Sequence, residues 1–151
     1  MPVVFLQKWS GNDPVFEVCF HSCVRLAAIG GQAEEDVAVV LQEYVDFATY
    51  EQGIILPEQI DQTVFNSAIF IDARDAAQFE ERHIPGAINI EWRELPYRMD
   101  EVPESGMVIF YCNTGTISSQ AMFMSRLMGR ENTLVLQTGQ RGWLVNGAYH
   151  P

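Results

Sequence analysis

One cysteine stands at a position where α/β proteins place reactive groups. Cys112 directly follows an apolar run from Met107 to Tyr111, and the loop 113–117 separates it from a helix predicted to begin at Ser118. Open α/β sheets bind ligands at the carboxyl ends of their strands. The N–H groups of a loop around the sulfur and the positive end of the next helix both stabilise a thiolate, the nucleophilic form of cysteine. Position alone leaves open whether Cys112 is catalytic or a small buried apolar residue.

The loop that follows Cys112 carries no charge. Residues 112–119 contain no acidic or basic side chain, so an anion that approaches Cys112 has no ion partner within the loop. Arg74 and Arg141 are candidates to supply positive charge from neighbouring strand ends. The alternative for Arg74 is an ion pair with Asp72 or Asp75 that stiffens its turn. The sequence leaves both interpretations open.

A second group of reactive residues consists of Cys19, His21 and Cys23. A helix would place His21 on a different face from the two cysteines, and no fourth ligand is evident, so a zinc site is not expected. These residues therefore predict no metal site. His83 is interpreted as a structural, hydrogen-bonding histidine rather than a catalytic base.

From residue 54 onward, short apolar strands alternate with helices. Strands are predicted over residues 68–71, 87–90, 107–111 and 133–136, with one helix opening at Asp75 and another over residues 118–128. Strands that are apolar throughout are buried on both faces. The pattern therefore predicts an α/β fold, in which helices cover both faces of a parallel sheet.

The first fifty residues have helical periodicity instead. Asp13-Pro14 is typical of a helix start and Gly30-Gly31 of its end, and a second helix is predicted from Glu34 to near Gly53. Such a hairpin is too small to bury its own apolar faces and should pack on the rest of the chain. We predict an N-terminal helical hairpin as an extension, residues 1–53, and an α/β domain, residues 54–151.

Several motifs of the second region closely resemble the rhodanese family and occur in the family's order. They are Ile71-Asp72-Ala73-Arg74, Phe79-Glu80, His83-Ile84-Pro85-Gly86-Ala87-Ile88-Asn89-Ile90, Tyr111-Cys112-Asn113-Thr114-Gly115 and a closing turn, Gly139-Gln140-Arg141-Gly142-Trp143. The resemblance implies a rhodanese-like sheet and a sulfurtransferase that uses neither a metal nor an organic cofactor. In this family the cysteine takes sulfur from a sulfane donor, holds it as a persulfide and passes it to a nucleophilic acceptor. The residues implied as substrate-binding, besides Arg74 and Arg141, are Asn113, Thr114, Gly115, Thr116, Ile117 and Ser118.

Two loop positions bear on which function is expected. The family commonly carries Arg or Lys at the position of Ile117 or beside the cysteine, so we expect a persulfide or polysulfide, brought by a small thiol or a carrier protein, to serve better than thiosulfate. Cysteine phosphatases and arsenate reductases need an arginine where Ser118 stands, which disfavours that class. A non-catalytic interaction or regulatory module on the same scaffold is the alternative function, and the presence of Cys112 argues against it.

The amino-acid composition limits which kinds of partner the protein is expected to bind. The 9 basic and 20 acidic residues give a net charge of -11, which repels nucleic acid and anionic membranes. No apolar span reaches membrane-crossing length, and the N-terminus lacks the pattern of a signal peptide. Three cysteines in 151 residues do not suggest a disulfide framework. A cytoplasmic protein with reduced thiols is predicted.

Overall fold

The computed structural model describes residues 31–49 and 52–151. The helices are α1 (Gly31–Phe47), α2 (Gln62–Ser67), α3 (Ala76–Glu81), α4 (Thr116–Leu127) and α5 (Gly139–Asn146). The strands are β1 (Ile54–Ile55), β2 (Ile69–Asp72), β3 (Ile88–Asn89), β4 (Val108–Tyr111) and β5 (Thr133–Leu136). Short 3-10 helices cover Pro57–Gln59, Leu95–Tyr97 and Met99–Glu101.

The strands form one sheet in the order β1-β5-β4-β2-β3, and every pairing is parallel. Alternate residues of the central strand β4 point into two separate cores. Val108 and Phe110 pack in one core with Ala121 of α4, while Ile109 packs in the other with Trp143 of α5. Helices therefore cover both faces, and the predicted α/β fold class is confirmed.

The predicted strand positions agree with the structure to within one or two residues. The motif that begins at Gly139 differs, because the residues interpreted as a closing turn form the first part of α5. Two residues with positive φ, Thr138 at 62° just before α5 and Gly139 at 58° as its first residue, turn the chain into this helix. The segment was interpreted as a turn from its resemblance to the family's closing turn, but all five of its residues lie within α5.

Near the N-terminus, α1 corresponds to the second of the two predicted helices, but it begins at Gly31 and ends at Phe47, before the predicted end near Gly53. The first predicted helix and the Cys19-His21-Cys23 group lie outside the described residues, so the hairpin and the boundary at residue 53 stay predictions. The compact unit that contains the sheet begins at Tyr44, whose ring meets Phe123 of α4 edge-on at a centroid distance of 5.0 Å. In the described part of the chain, no helix is both long and apolar enough to span a membrane.

Candidate active site

Three loops meet at the carboxyl edge of the sheet. The last residue of β2, Asp72, pairs with the last residue of β4, Tyr111, and the N–H of Ala73 donates to the carbonyl of Tyr111 at 2.9 Å. Cys112 follows at this edge and is 2% exposed. Cys112 therefore follows the end of a buried strand, as predicted.

The loop after Cys112 folds back so that hydrogen-bond donors face the sulfur. The backbone N–H of Gly115 donates to Sγ at 3.2 Å, and the hydroxyl of Ser118 donates to it at 3.5 Å. Gly115 has a φ of 97° and precedes the first residue of α4. Glycine adopts this left-handed conformation without the penalty that a side chain imposes, so a tight loop can join the strand to the helix around the thiol.

The surroundings of the sulfur lower the pKa of Cys112. Burial is the largest influence and alone would raise this pKa, but the hydrogen-bond donors together outweigh it. Ser118 contributes through its hydroxyl and its N–H, and the N–H groups of Thr114 and Ile117 add to the effect. Hydrogen bonds to the charged form favour ionisation. The loop therefore stabilises a thiolate, as the sequence predicted.

Replacing Ser118 by alanine is expected to raise the pKa of Cys112, because the side-chain donor that lowers it most is lost. At a pH below this pKa the thiolate fraction falls and the thiol reacts more slowly. The rate of alkylation by iodoacetamide, measured against pH, should have its midpoint at a higher pH in Ser118→Ala. Ser119→Ala is the matched control, since the hydroxyl of Ser119 donates to the carbonyl of Thr116 instead. Equal profiles for both variants and the unchanged protein would contradict the assignment.

The start of α5 holds the same loop from the other side. The N–H of Gln140 donates to the carbonyl of Cys112 at 2.7 Å, and the N–H of Arg141 donates to the carbonyl of Asn113 at 3.2 Å. Gly139 approaches so closely that a Cβ there would lie 2.7 Å from the backbone of both Asn113 and Thr114. Glycine is thus required at position 139 for α5 to reach the loop.

Arg74 is committed to a buried polar network. Its guanidinium donates to both carboxylate oxygens of Asp72, at 2.6–3.1 Å, and to the carbonyl of Arg82 at 2.6 Å. It also donates to Oδ1 of Asn113 at 3.1 Å, and the amide of Asn113 donates in turn to Gln78 at 2.6 Å. This geometry matches the predicted alternative of an Arg74–Asp72 pair. Arg74 contacts the loop through this hydrogen bond to Asn113. That Arg74 also binds the substrate remains a prediction.

The outward side of the loop is uncharged, as expected from the sequence. Thr114 and Thr116 are exposed, and their hydroxyl oxygens lie 3.3 Å apart. Ile117 is 37% exposed. Arg141 is exposed at the start of α5, so its backbone lies against the loop while its side chain faces solvent.

The sequence did not identify every residue that supports the Cys112 loop, and it suggested a structural role for His83. Gln78 and Gln140 support the loop, and neither was a candidate, because glutamine carries no chemical signal and its partners lie far away in the chain. His83 behaves as predicted, with Nδ1 2.8 Å from the carbonyl of Phe79 and its ring stacked on Phe79. In residues 31–49 and 52–151 no group of three His, Cys, Asp or Glu residues is arranged to hold a metal ion.

Comparison with known proteins agrees with this architecture. The family model described as Rhodanese-like domain matches residues 56–146. A protein from Allochromatium vinosum named Sulfurtransferase is 30% identical over 79 residues, which are 52% of this chain and 74% of that protein. Thiosulfate sulfurtransferase PspE from Escherichia coli is 37% identical over 68 residues, which are 44% of this chain and 65% of PspE.

A solved structure shares the fold. The single domain sulfurtransferase RDL2 of Saccharomyces cerevisiae matches with a TM-score of 0.55 at 22% identity, over 68% of this chain and 96% of RDL2. An identity this low establishes the architecture and carries no information on substrates.

Proposed function

The chain belongs to the rhodanese-like domain family, and from this membership and the geometry around Cys112 we propose that it is a sulfurtransferase that carries sulfur as a persulfide on Cys112. The observation that carries the proposal is the Cys112 thiol itself. It lies at the carboxyl edge of the sheet, it accepts hydrogen bonds from Gly115 and Ser118, and its pKa is lowered. An activated thiolate of this kind is suited to covalent catalysis.

The proposed reaction has two steps. The Cys112 thiolate attacks the sulfane sulfur of a donor, the donor's bond to that sulfur breaks, and the donor leaves with the electron pair. With thiosulfate the leaving group is sulfite, and with a persulfide it is a thiolate. A nucleophilic acceptor then attacks the outer sulfur, and Cys112 returns to a thiolate. The N–H groups of the loop stabilise the negative charge in both steps. A reduced thiol is required, in agreement with the cytoplasmic location predicted from the sequence.

The test of the proposal is to load the protein with sulfur and to locate the added atom. The protein is exposed to a sulfane donor, its free thiols are blocked, and peptides are mapped by mass spectrometry. One added sulfur on Cys112 supports the proposal. Sulfur on Cys19 or Cys23 alone would refute it.

We propose persulfides or polysulfides, delivered by a small thiol or by a carrier protein, as better donors than thiosulfate. The name of PspE makes thiosulfate the competing donor. Thiosulfate is a compact dianion, and the loop offers it no cation, since position 117 holds isoleucine and Arg74 is paired with Asp72. The net charge of -11 also opposes its approach.

Ile117→Arg is accordingly expected to improve the use of thiosulfate. The side chain at position 117 is partly exposed, so a guanidinium there can reach solvent and give charge-assisted hydrogen bonds to the anion. We expect kcat/KM for thiosulfate to rise roughly tenfold, as one such interaction contributes on the order of 1.5 kcal/mol. Ile117→Gln is the uncharged control. Equal activity of the arginine and glutamine variants would show that the loop N–H groups suffice.

A further inference from the structure

The arginines of the described chain fall into two groups. Five of the seven bind protein oxygens with their guanidinium groups, namely Arg74, Arg93, Arg98, Arg126 and Arg130. The side chains of Arg82 and Arg141 form no hydrogen bond or ion pair with any residue that the structure describes. Both residues are exposed. Their positive charges are thus available to an external anion.

Both arginines belong to segments that are bound to the Cys112 loop or its support. The carbonyl of Arg82 accepts from Arg74 at 2.6 Å and from the side chain of Gln140 at 3.4 Å. Gln140 itself donates its N–H to the carbonyl of Cys112, and Arg141 donates its N–H to Asn113. Arg82 directly follows α3, and Arg141 lies in the first turn of α5, so each of two separate elements that support the loop carries an exposed arginine.

The acidic residues around this pair do not neutralise it through ion pairs. Glu80 and Glu81 precede Arg82 in the chain, and neither forms a salt bridge with it. Asp72 is bound to Arg74, and the carboxylate of Asp75 accepts hydrogen bonds from Gln78. Two arginine side chains without a protein partner among the described residues, both in segments that are hydrogen-bonded to the Cys112 loop or to its support, stand out in a protein whose net charge is -11.

We propose that Arg82 and Arg141 bind the carboxylates of an acidic low-molecular-weight thiol, which exchanges sulfur with Cys112; this inference rests on the proposed function. Guanidinium groups match carboxylates in geometry and charge. The sulfonate of thiosulfate is bonded to the sulfur that Cys112 attacks, and it must therefore sit in the uncharged mouth of the loop. A larger thiol instead places its carboxylates several bonds from its sulfur, where cations on two flanking elements can reach them.

The exchange needs no oxidant or reductant. The thiolate of the small thiol attacks the outer sulfur of the Cys112 persulfide, and a bond forms between the two sulfur atoms. The bond within the Cys112 persulfide breaks, and its electron pair returns to Cys112 as a thiolate. The small thiol leaves as a persulfide, and the reverse reaction loads the enzyme.

The test compares two acceptors on protein that has already been loaded with sulfur. Glutathione, with two carboxylates, is the acidic probe, and 2-mercaptoethanol is the neutral one. Arg82→Gln and Arg141→Gln should each lower kcat/KM for glutathione by about two- to fivefold, and the double variant by roughly tenfold. The neutral thiol should react at an unchanged rate. Arg82→Lys and Arg141→Lys should recover part of the loss because the charge is retained.

Two controls separate a local effect from a general one. Ser105→Asp makes the same change in net charge as a single Arg→Gln variant, but it lies before β4 at the opposite edge of the sheet, and it should leave both acceptors unaffected. A double variant that uses glutathione as well as the unchanged protein does would overturn the inference, as would an equal loss for both thiols. Because the protein is loaded first, failure to accept sulfur would count against the proposed function and not against the two arginines.

Discussion

Cys112→Ser is expected to abolish sulfur transfer and to leave the fold nearly unchanged. A serine hydroxyl does not form a persulfide, so the covalent step is lost altogether rather than slowed. The replacement differs by one atom, and its hydroxyl can take part in hydrogen bonds with Gly115 and Ser118, which surround the thiol. We expect the free energy of unfolding to change by no more than about 1 kcal/mol. Mass spectrometry after exposure to a sulfane donor tests the loss of sulfur transfer, and the thermal midpoint of unfolding tests the retention of the fold.

The other two cysteines provide the control for this variant. Cys19→Ser and Cys23→Ser should still accept one sulfur at Cys112, since the loop is intact in both. A serine variant of Cys112 that still transfers sulfur would refute the assignment. A large loss of stability would mean that Cys112 serves chiefly as a packed core residue, the alternative that the sequence left open.

The same experiment separates the proposed enzyme from a non-catalytic interaction module. A module that only binds a partner has no use for an ionised thiol, and its partner binding should survive Cys112→Ser. The contacts of Cys112 support the enzyme instead, because the donors around Sγ overcome the effect of burial on its pKa. A phosphatase loop would need an arginine at position 118, where the buried serine hydroxyl donates to the sulfur.

Local patterns made the strands and the position of Cys112 predictable. The run from Met107 to Tyr111 is apolar without interruption, and the strand observed is Val108–Tyr111. A glycine three residues after the cysteine, followed by a helix, is also a local signal. Strand, loop and helix are neighbours in the chain, so their spacing alone places a thiol against the N–H groups of a loop.

The supporting contacts were not predictable, because they join distant parts of the chain. Asn113 is bound to Arg74, 39 positions away, and to Gln78, 35 positions away. Gln140 reaches the carbonyl of Arg82 across 58 positions. No periodicity in the sequence reports such pairs. The sequence therefore suggested two roles for Arg74, whereas the fold, which brings β2 beside β4, gives its guanidinium specific partners.

Gly139 is the least obvious of the residues on which the site depends, because it has no side chain that could take part in chemistry. Its φ is 58°, and a Cβ at this position would overlap the carbonyl oxygen of Cys112 and lie 2.7 Å from backbone atoms of Asn113 and Thr114. Every one of these atoms belongs to the backbone of Cys112 or of the loop that follows it, so no flexible side chain can move aside. Either the loop or the start of α5 has to shift.

Gly139→Ala is therefore expected to impair both activity and stability. A shift breaks the hydrogen bond from Gln140 to Cys112, now 2.7 Å, and moves the sulfur relative to its donors. Misplacement of a reactive group by about 1 Å costs on the order of 100-fold in rate, which we expect in kcat/KM. Overpacking together with the left-handed φ should cost roughly 2–4 kcal/mol in the free energy of unfolding. Urea titration measures the stability, and assays are run where the variant is fully folded.

Gly106→Ala separates the clash from the backbone strain. Gly106 also has a positive φ, 81°, but a Cβ there would meet nothing within 4 Å, and the residue precedes β4 at the edge of the sheet opposite Cys112. Replacement of Gly106 by alanine should lower the free energy of unfolding only because of the left-handed φ. It should leave the rate of sulfur transfer unchanged. If Gly139→Ala loses no more activity than Gly106→Ala, the loop does not depend on the close approach of α5. A selective loss of activity at position 139 would show that α5 holds Cys112 in its reactive position.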